Sequence, residues 1–226
     1  MSCVETMNRK ELIKLLSFFI MGDGSLEKHG KNSRISISHN VDNLDYLMWK
    51  KSILENITNC SEYDRKIKNK NHSQNKVIRS RTHPIYEKLR KRLYLQNKKV
   101  INPHYLKLLD FESLTILIQD DGSSSTKDGR LSNLYIHTNS FSYGDNLLIK
   151  KAIEENLGIM FNVVNNKGYY ELRLRNKDYN KLYEGCKPYI FKSFEYKFPI
   201  PTLNSEKSDD EIVQTSLGNE EISRND

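Results

Sequence analysis

An α+β fold duplicated about a pseudo-twofold axis, with αββαββα in each half, is what three features of this 226-residue sequence predict. First, Leu16-Ser17-Phe18-Phe19-Ile20-Met21-Gly22-Asp23-Gly24 returns ninety-eight residues later as Leu114-Thr115-Ile116-Leu117-Ile118-Gln119-Asp120-Asp121-Gly122. Second, matched segments follow each copy at offsets of 94 to 100. Third, segments with helical spacing of apolar residues alternate with segments of period two, the mark of half-buried strands.

Each element follows from that repeat. The two apolar segments that end in an acid and a glycine read as the first helix of each half. Strand-like Arg34 to Asn40 matches Asn133 to Asn139. Helical Asn43 to Asn56 matches Asn146 to Asn156, with Lys50-Lys51 aligned on Lys150-Lys151. Val77 to Arg81 matches Glu171 to Arg175, again as strands, and helical Pro84 to Leu95 matches Asp178 to Tyr189. The less regular partner strands fall in Leu26 to Asn32, Asp64 to Asn69, Ser123 to Asp128 and Met160 to Asn165. The halves are thus 1–103 and 104–203. Beyond them, 204–226 loses its aromatic residues and is expected to be a disordered acidic tail.

Charge narrows the partner. The chain carries +7. Ser205 to Asp226 holds seven acids and two bases, which leaves 34 bases against 22 acids, a net +12, on residues 1–204. A body that basic suits nucleic acid or an anionic surface. There is no apolar run of about 18 residues and no signal-peptide pattern at the start, so a soluble, intracellular protein without a membrane partner is expected. Cys3, Cys60 and Cys186 and the six histidines lack zinc-ligand spacing, so reduced thiols and no zinc are expected.

Period-two alternation assigns the strand faces. With Ile35, Ile37, Ile78, Leu134, Ile136, Leu172 and Leu174 turned to the helices, the other face presents Arg34, Ser36, Ser38, Arg79, Arg81, Tyr135, His137, Asn139, Arg173 and Arg175. These are donors and acceptors suited to base edges and phosphates of double-stranded DNA. Lys50, Lys51, Lys66, Lys68, Lys150 and Lys151 are expected to add phosphate contacts.

The acids stand where a helix dipole disfavours them, at a C-terminal end, and they do so twice. Side by side, such helices would concentrate two carboxylates in one place, the layout of a divalent-metal nuclease. At these residues the chain resembles the LAGLIDADG homing endonucleases of the single-chain, two-motif type, over residues 11 to 200. The resemblance implies two motif helices at the interface, saddle-shaped sheets that straddle DNA, and a monomer with internal pseudo-symmetry. It also implies that Asp23 and Asp121 bind Mg²⁺ or Mn²⁺, with the backbone carbonyls of Gly22 and Asp120 completing the coordination. A basic residue before the proline near each repeat's end tunes the hydrolytic water. Lys99 and Lys197 match it, each 76 residues after its acid, with Lys98 a competitor for the first position. The usual small interface residues give way to Phe18 and Ile116. The implied activity is metal-dependent cleavage of both DNA strands at a long asymmetric site, leaving short 3′ overhangs. Two other functions use the same fold: an RNA maturase acting on intron RNA, and a DNA-binding regulator derived from a decayed endonuclease.

Overall fold

The computed structural model describes residues 7–65 and 74–201. Cys3, Lys66, Lys68 and the expected acidic tail lie outside the described residues.

Helix α1 (Arg9–Met21) starts at Asn8, whose side chain accepts the Glu11 N–H. From Lys14 to Met21 every residue is buried, which places this helix at the centre rather than on a surface. The chain then forms β1 (Ser25–His29), β2 (Asn32–Asn40), α2 (Leu44–Glu55), β3 (Cys60–Arg65), β4 (Asn75–Ser80) and α3 (Pro84–Leu93). A two-strand hairpin, β5 (Tyr94–Leu95) and β6 (Lys98–Lys99), and a short helix α4 (Pro103–Leu106) lead to the second half. There α5 (Phe111–Asp121), β7 (Gly122–Lys127), β8 (Arg130–Ile136), α6 (Tyr143–Leu157), β9 (Phe161–Asn166), β10 (Tyr169–Leu174) and α7 (Tyr179–Cys186) repeat the order. A 3₁₀ segment, Lys192–Lys197, follows.

Two antiparallel four-stranded sheets result, in the orders β1-β2-β4-β3 and β7-β8-β10-β9. Helices α2 and α3 cover one face of the first sheet, and α6 covers one face of the second. The central pair α1 and α5 pack on each other. Ser17 and Thr115 are fully buried there, and their hydroxyls turn back to carbonyls four residues earlier, so neither is left without a partner. Phe18 and Ile116 are buried too. At the opposite end of the pair, Lys14 joins the halves by bonding Asp110, the N-cap of α5, and Glu112.

The strand faces follow the alternation. Ile35, Ile37, Ile78, Leu134, Ile136, Leu172 and Leu174 all lie in the core. Across the ladders Ser36 pairs with Arg79 and Tyr135 with Arg173, so the central Arg occupies one register position in both sheets.

Three expectations need correction. The helical run expected through Leu95 stops at Leu93, because Gln96 and Asn97 both take positive φ and turn the chain back as a tight hairpin. Asn139 is exposed but off the sheet: β8 ends at Ile136, and the Thr138 N–H bonds the Ile136 carbonyl as the chain bends toward α6. The alignment of Lys50 on Lys150 is off by one. Leu47, Lys50, Ile53 and Leu54 are the buried face of α2, whereas Asn146, Ile149, Ala152 and Ile153 are that of α6. Lys50 therefore occupies the core position that Ile149 fills in the second half.

Candidate active site and nucleic-acid face

The ends of α1 and α5 bring three aspartates together. Asp23 follows the last turn of α1, while Asp121 is the last residue of α5. Burial raises the Asp23 carboxyl to about 7, reinforced by the charges of Asp120 and Asp121. Burial and the Asp120 charge raise Asp121 to about 6. Asp120 behaves differently. Its side chain has no solvent exposure, yet the Lys50 ammonium beside it outweighs the cost of burial and holds it below the ordinary carboxylate range.

The two lysines reach the same helix ends from different scaffolds. Lys99 lies on the second strand of the β5–β6 hairpin, and its Nζ donates to the Gly22 carbonyl at 2.6 Å. Lys98 is exposed. Lys197 closes the 3₁₀ segment and donates to the carbonyls of Gln119, at 2.6 Å, and Ile118, at 3.3 Å. Burial lowers the pKa of both lysines. Lys99 uses one of its three N–H groups on the carbonyl and Lys197 two, so each keeps at least one donor for another partner.

A divalent metal fits Asp23 and Asp121. Their pKa values are raised first by burial and then by neighbouring carboxylate charge, which a cation would offset, and the donors are oxygens, which suit hard cations such as Mg²⁺ or Mn²⁺. The Gly22 carbonyl, though bonded by Lys99, retains a second lone pair. A different trio, Asp23, His39 and Asp120, also presents ligand atoms within 4.8 Å of one another. Its space is already taken by a cation: Lys50 Nζ lies 2.6 Å from Asp120 Oδ1 and 3.2 Å from His39 Nε2. Since an ammonium only donates, Nε2 accepts and Nδ1 carries the proton, with Asp23 Oδ2 3.5 Å from Nδ1. Burial, with Lys50 adjacent, lowers His39 to about 3 and keeps it neutral.

From Asp23 the surface runs directly onto the first sheet. A recess of about 370 Å³ is lined by Asp23, Ser25, Ser36, Ser38 and Arg79 among others. Beside it a larger one, about 630 Å³, holds Arg34, Arg79 and Arg81. Arg34 bonds Glu27 at 2.9 Å, and Arg79 lies over Tyr63 at 4.9 Å. In the second sheet Arg173 lies over Tyr135 at 5.8 Å, and Arg175 bonds Asn162. His137 is held from both sides, 2.7 Å from Ser123 Oγ and 2.7 Å from Glu171 Oε2. Glu27 and Glu171, the acids that brace these faces, gave no signal in the sequence beyond sharing strand parity with the arginines.

The described lysines among those expected on phosphates, Lys50, Lys51, Lys150 and Lys151, stand behind the sheets. Lys50 is buried against Asp120. Lys51 pairs with Glu62 at 2.7 Å, Lys150 with Glu154 at 3.3 Å and Lys151 with Glu155 at 3.5 Å. All sit on α2 or α6, the helices behind the sheets, so the sheets separate them from the arginine faces.

Two pseudo-symmetric sheets joined through a helix pair that ends in acids define a LAGLIDADG-type nuclease fold. The family model for the LAGLIDADG DNA endonuclease family matches residues 16–182. The chain belongs to that family and is, by class, a DNA endonuclease. Among curated relatives, the probable intron-encoded DNA endonuclease 3 of Mycosarcoma maydis is 31% identical over 103 residues, 45% of this chain and 74% of the relative. The cytochrome b mRNA maturase bI2 of Debaryomyces hansenii is 25% identical over 198 residues, 83% of this chain and 73% of the relative. Among solved structures, the homing endonuclease I-WcaI bound to its DNA recognition sequence superposes with a TM-score of 0.73 at 21% identity, covering 86% of this chain and 88% of that one. No described helix is long and apolar enough to cross a membrane.

Proposed function

We propose that this chain is a site-specific homing endonuclease, which cuts both strands of a long, asymmetric duplex by metal-dependent hydrolysis and leaves short 3′ overhangs. One observation carries the reading: two carboxylates whose pKa values are raised by partial burial stand at the ends of the paired helices, and a lysine reaches main-chain carbonyls at each end. Asp23 and Asp121 would hold the divalent cation with the Gly22 and Asp120 carbonyls. The bound ion would supply Lewis-acid stabilisation of phosphate charge and a more acidic water. Lys99 and Lys197 direct their remaining N–H groups to that water or a phosphate oxygen. Arg34, Arg79, Arg81, Arg173 and Arg175, with Ser36, Ser38, Tyr135 and His137, read the duplex. The two faces differ in sequence, so the target is asymmetric.

Incubation with a randomised duplex library and Mg²⁺ should enrich discrete ends with 3′ overhangs that disappear with chelator. Breaks at every sequence, or none, would overturn the proposal. Arg173→Ala should relax base preference in one half-site by about 1–3 kcal/mol and leave the other half-site unchanged. Selection profiles of the two proteins check this, and uniform weakening across the site would place Arg173 on phosphate instead.

The similarity to a maturase favours a second reading, in which the same body also assists splicing of intron RNA. An Asp23→Asn/Asp121→Asn protein that cuts no DNA yet still promotes splicing of its own intron would establish it.

A further inference from the structure

We propose that the Asp120 side chain is a positioning residue for Asp23, reaching from one half of the molecule into the other, and that Lys50, Tyr46 and His39 are built around it for that purpose. The inference rests on the endonuclease reading above and assigns a role that the repeat does not predict, since Asp120 occupies the position of Gly22 and was expected to act through its carbonyl alone.

One backbone donor at the end of α1 has no partner within its own half. By the 98-residue offset α1 would run to Asp23, but it ends at Met21, two residues short. Beyond it the Gly22 N–H bonds the Phe18 carbonyl and the Gly24 N–H bonds the Phe19 carbonyl. The Asp23 N–H is left over, and Asp120 Oδ2 accepts it at 3.1 Å. Gly22 makes room for this approach, because a Cβ there would overlap the Asp120 carboxylate. Asp121 needs no such support, being still within α5.

The rest of the cluster keeps Asp120 charged and fixed. Its carboxylate accepts from Tyr46 Oη at 2.9 Å and from Lys50 Nζ at 2.6 and 2.8 Å. Lys50 in turn donates to His39, whose second nitrogen faces the Asp23 carboxylate. The second half has none of this. Ile149 replaces Lys50, and where His39 stands there is Thr138, bonded to Asn146. Buried ion pairs seldom add stability over apolar residues of similar volume. A pair retained on one side only therefore calls for another use, and holding the backbone of one catalytic acid supplies it.

The test compares two double variants that both remove the ion pair. Asp120→Asn/Lys50→Met keeps an oxygen that can accept the Asp23 N–H, whereas Asp120→Leu/Lys50→Met does not. In amide hydrogen exchange, the Asp23 N–H should stay protected in wild type and in the Asn/Met protein and exchange freely in the Leu/Met protein. In single-turnover cleavage with each strand labelled separately, the Leu/Met protein should cut one strand about 10²-fold more slowly than the other, the loss expected from a displaced catalytic group. The slowed strand should be the one slowed by Lys99→Met, and the Asn/Met protein should restore the balance. Unchanged exchange at Asp23, or equal slowing of both strands by the Leu/Met protein, would overturn the inference and leave Asp120 with a packing role. If wild type cuts no selected DNA, the endonuclease reading fails by itself, and exchange still decides whether Asp120 holds Asp23.

Discussion

Asp23→Asn and Asp121→Asn should each abolish double-strand cleavage, by about 10²–10³-fold or more, while the protein still folds, binds DNA and melts higher in metal-free buffer. The gain in stability follows from the folded-state pKa values, about 7 and about 6 against an ordinary 3.8. Between pH 4 and those values the folded chain binds more protons than the unfolded chain, so stability falls as pH rises through that window. Above about pH 7 the wild-type protein carries the cost of both ionised carboxylates, and at neutral pH it already carries most of it. Asparagine removes it. The Asp23 side chain is one-third exposed, and solvent screening reduces the cost well below what the shift alone suggests, to about 1–2 kcal/mol. That corresponds to a few degrees in Tm for a chain of this size. Mg²⁺ should raise the Tm of wild type and not of the double Asn protein. If either single variant cuts both strands at the wild-type rate, the acids are not the catalytic pair; if either unfolds, their role is structural.

How far the sequence carries depends on the range of the interaction involved. The acid-glycine ending of α5 and the alternation of Ile35, Ile37, Leu172 and Leu174 are local patterns that the structure follows, whereas α1 stops at Met21, two residues before its acid. The equal spacing of Lys99 and Lys197 from their acids was also visible, but not the means. A Gln96-Asn97 turn lacks the glycine that usually announces a two-residue hairpin, and the 3₁₀ segment that carries Lys197 has no capping signal. The Asp120 cluster was out of reach for another reason. Its members are contributed by β2, α2 and α5, with Lys50 and Asp120 seventy residues apart, and nothing periodic links them. Matching by residue type even misled, because two lysine pairs align better as letters than as burial. Only the helix faces reveal that Lys50 stands in for an isoleucine.

That placement leads to the largest expected effect on stability. Lys50→Met leaves the Asp120 carboxylate with no exposure and no countercharge, and breaking a buried pair in this way costs about 3–5 kcal/mol. At about 2–4 °C per kcal/mol for a chain of this length, Tm should fall by roughly 6–20 °C. Tyr46 and the Asp23 N–H still bond the carboxylate but bring no net charge, so they soften the loss without cancelling it. Adding Asp120→Leu should recover part of the lost stability, since the unpaired buried charge is gone while the Tyr46 hydroxyl and the Asp23 N–H lose their acceptor. Lys51→Ala and Lys150→Ala serve as controls: both side chains belong to partly exposed pairs, worth about 0–1 kcal/mol. Thermal melts of the four proteins decide the matter. Were Lys50 a phosphate contact instead, Lys50→Met would leave Tm unchanged and lower the salt slope of DNA binding by about one unit, an outcome that would return it to the surface and dissolve the cluster around Asp120.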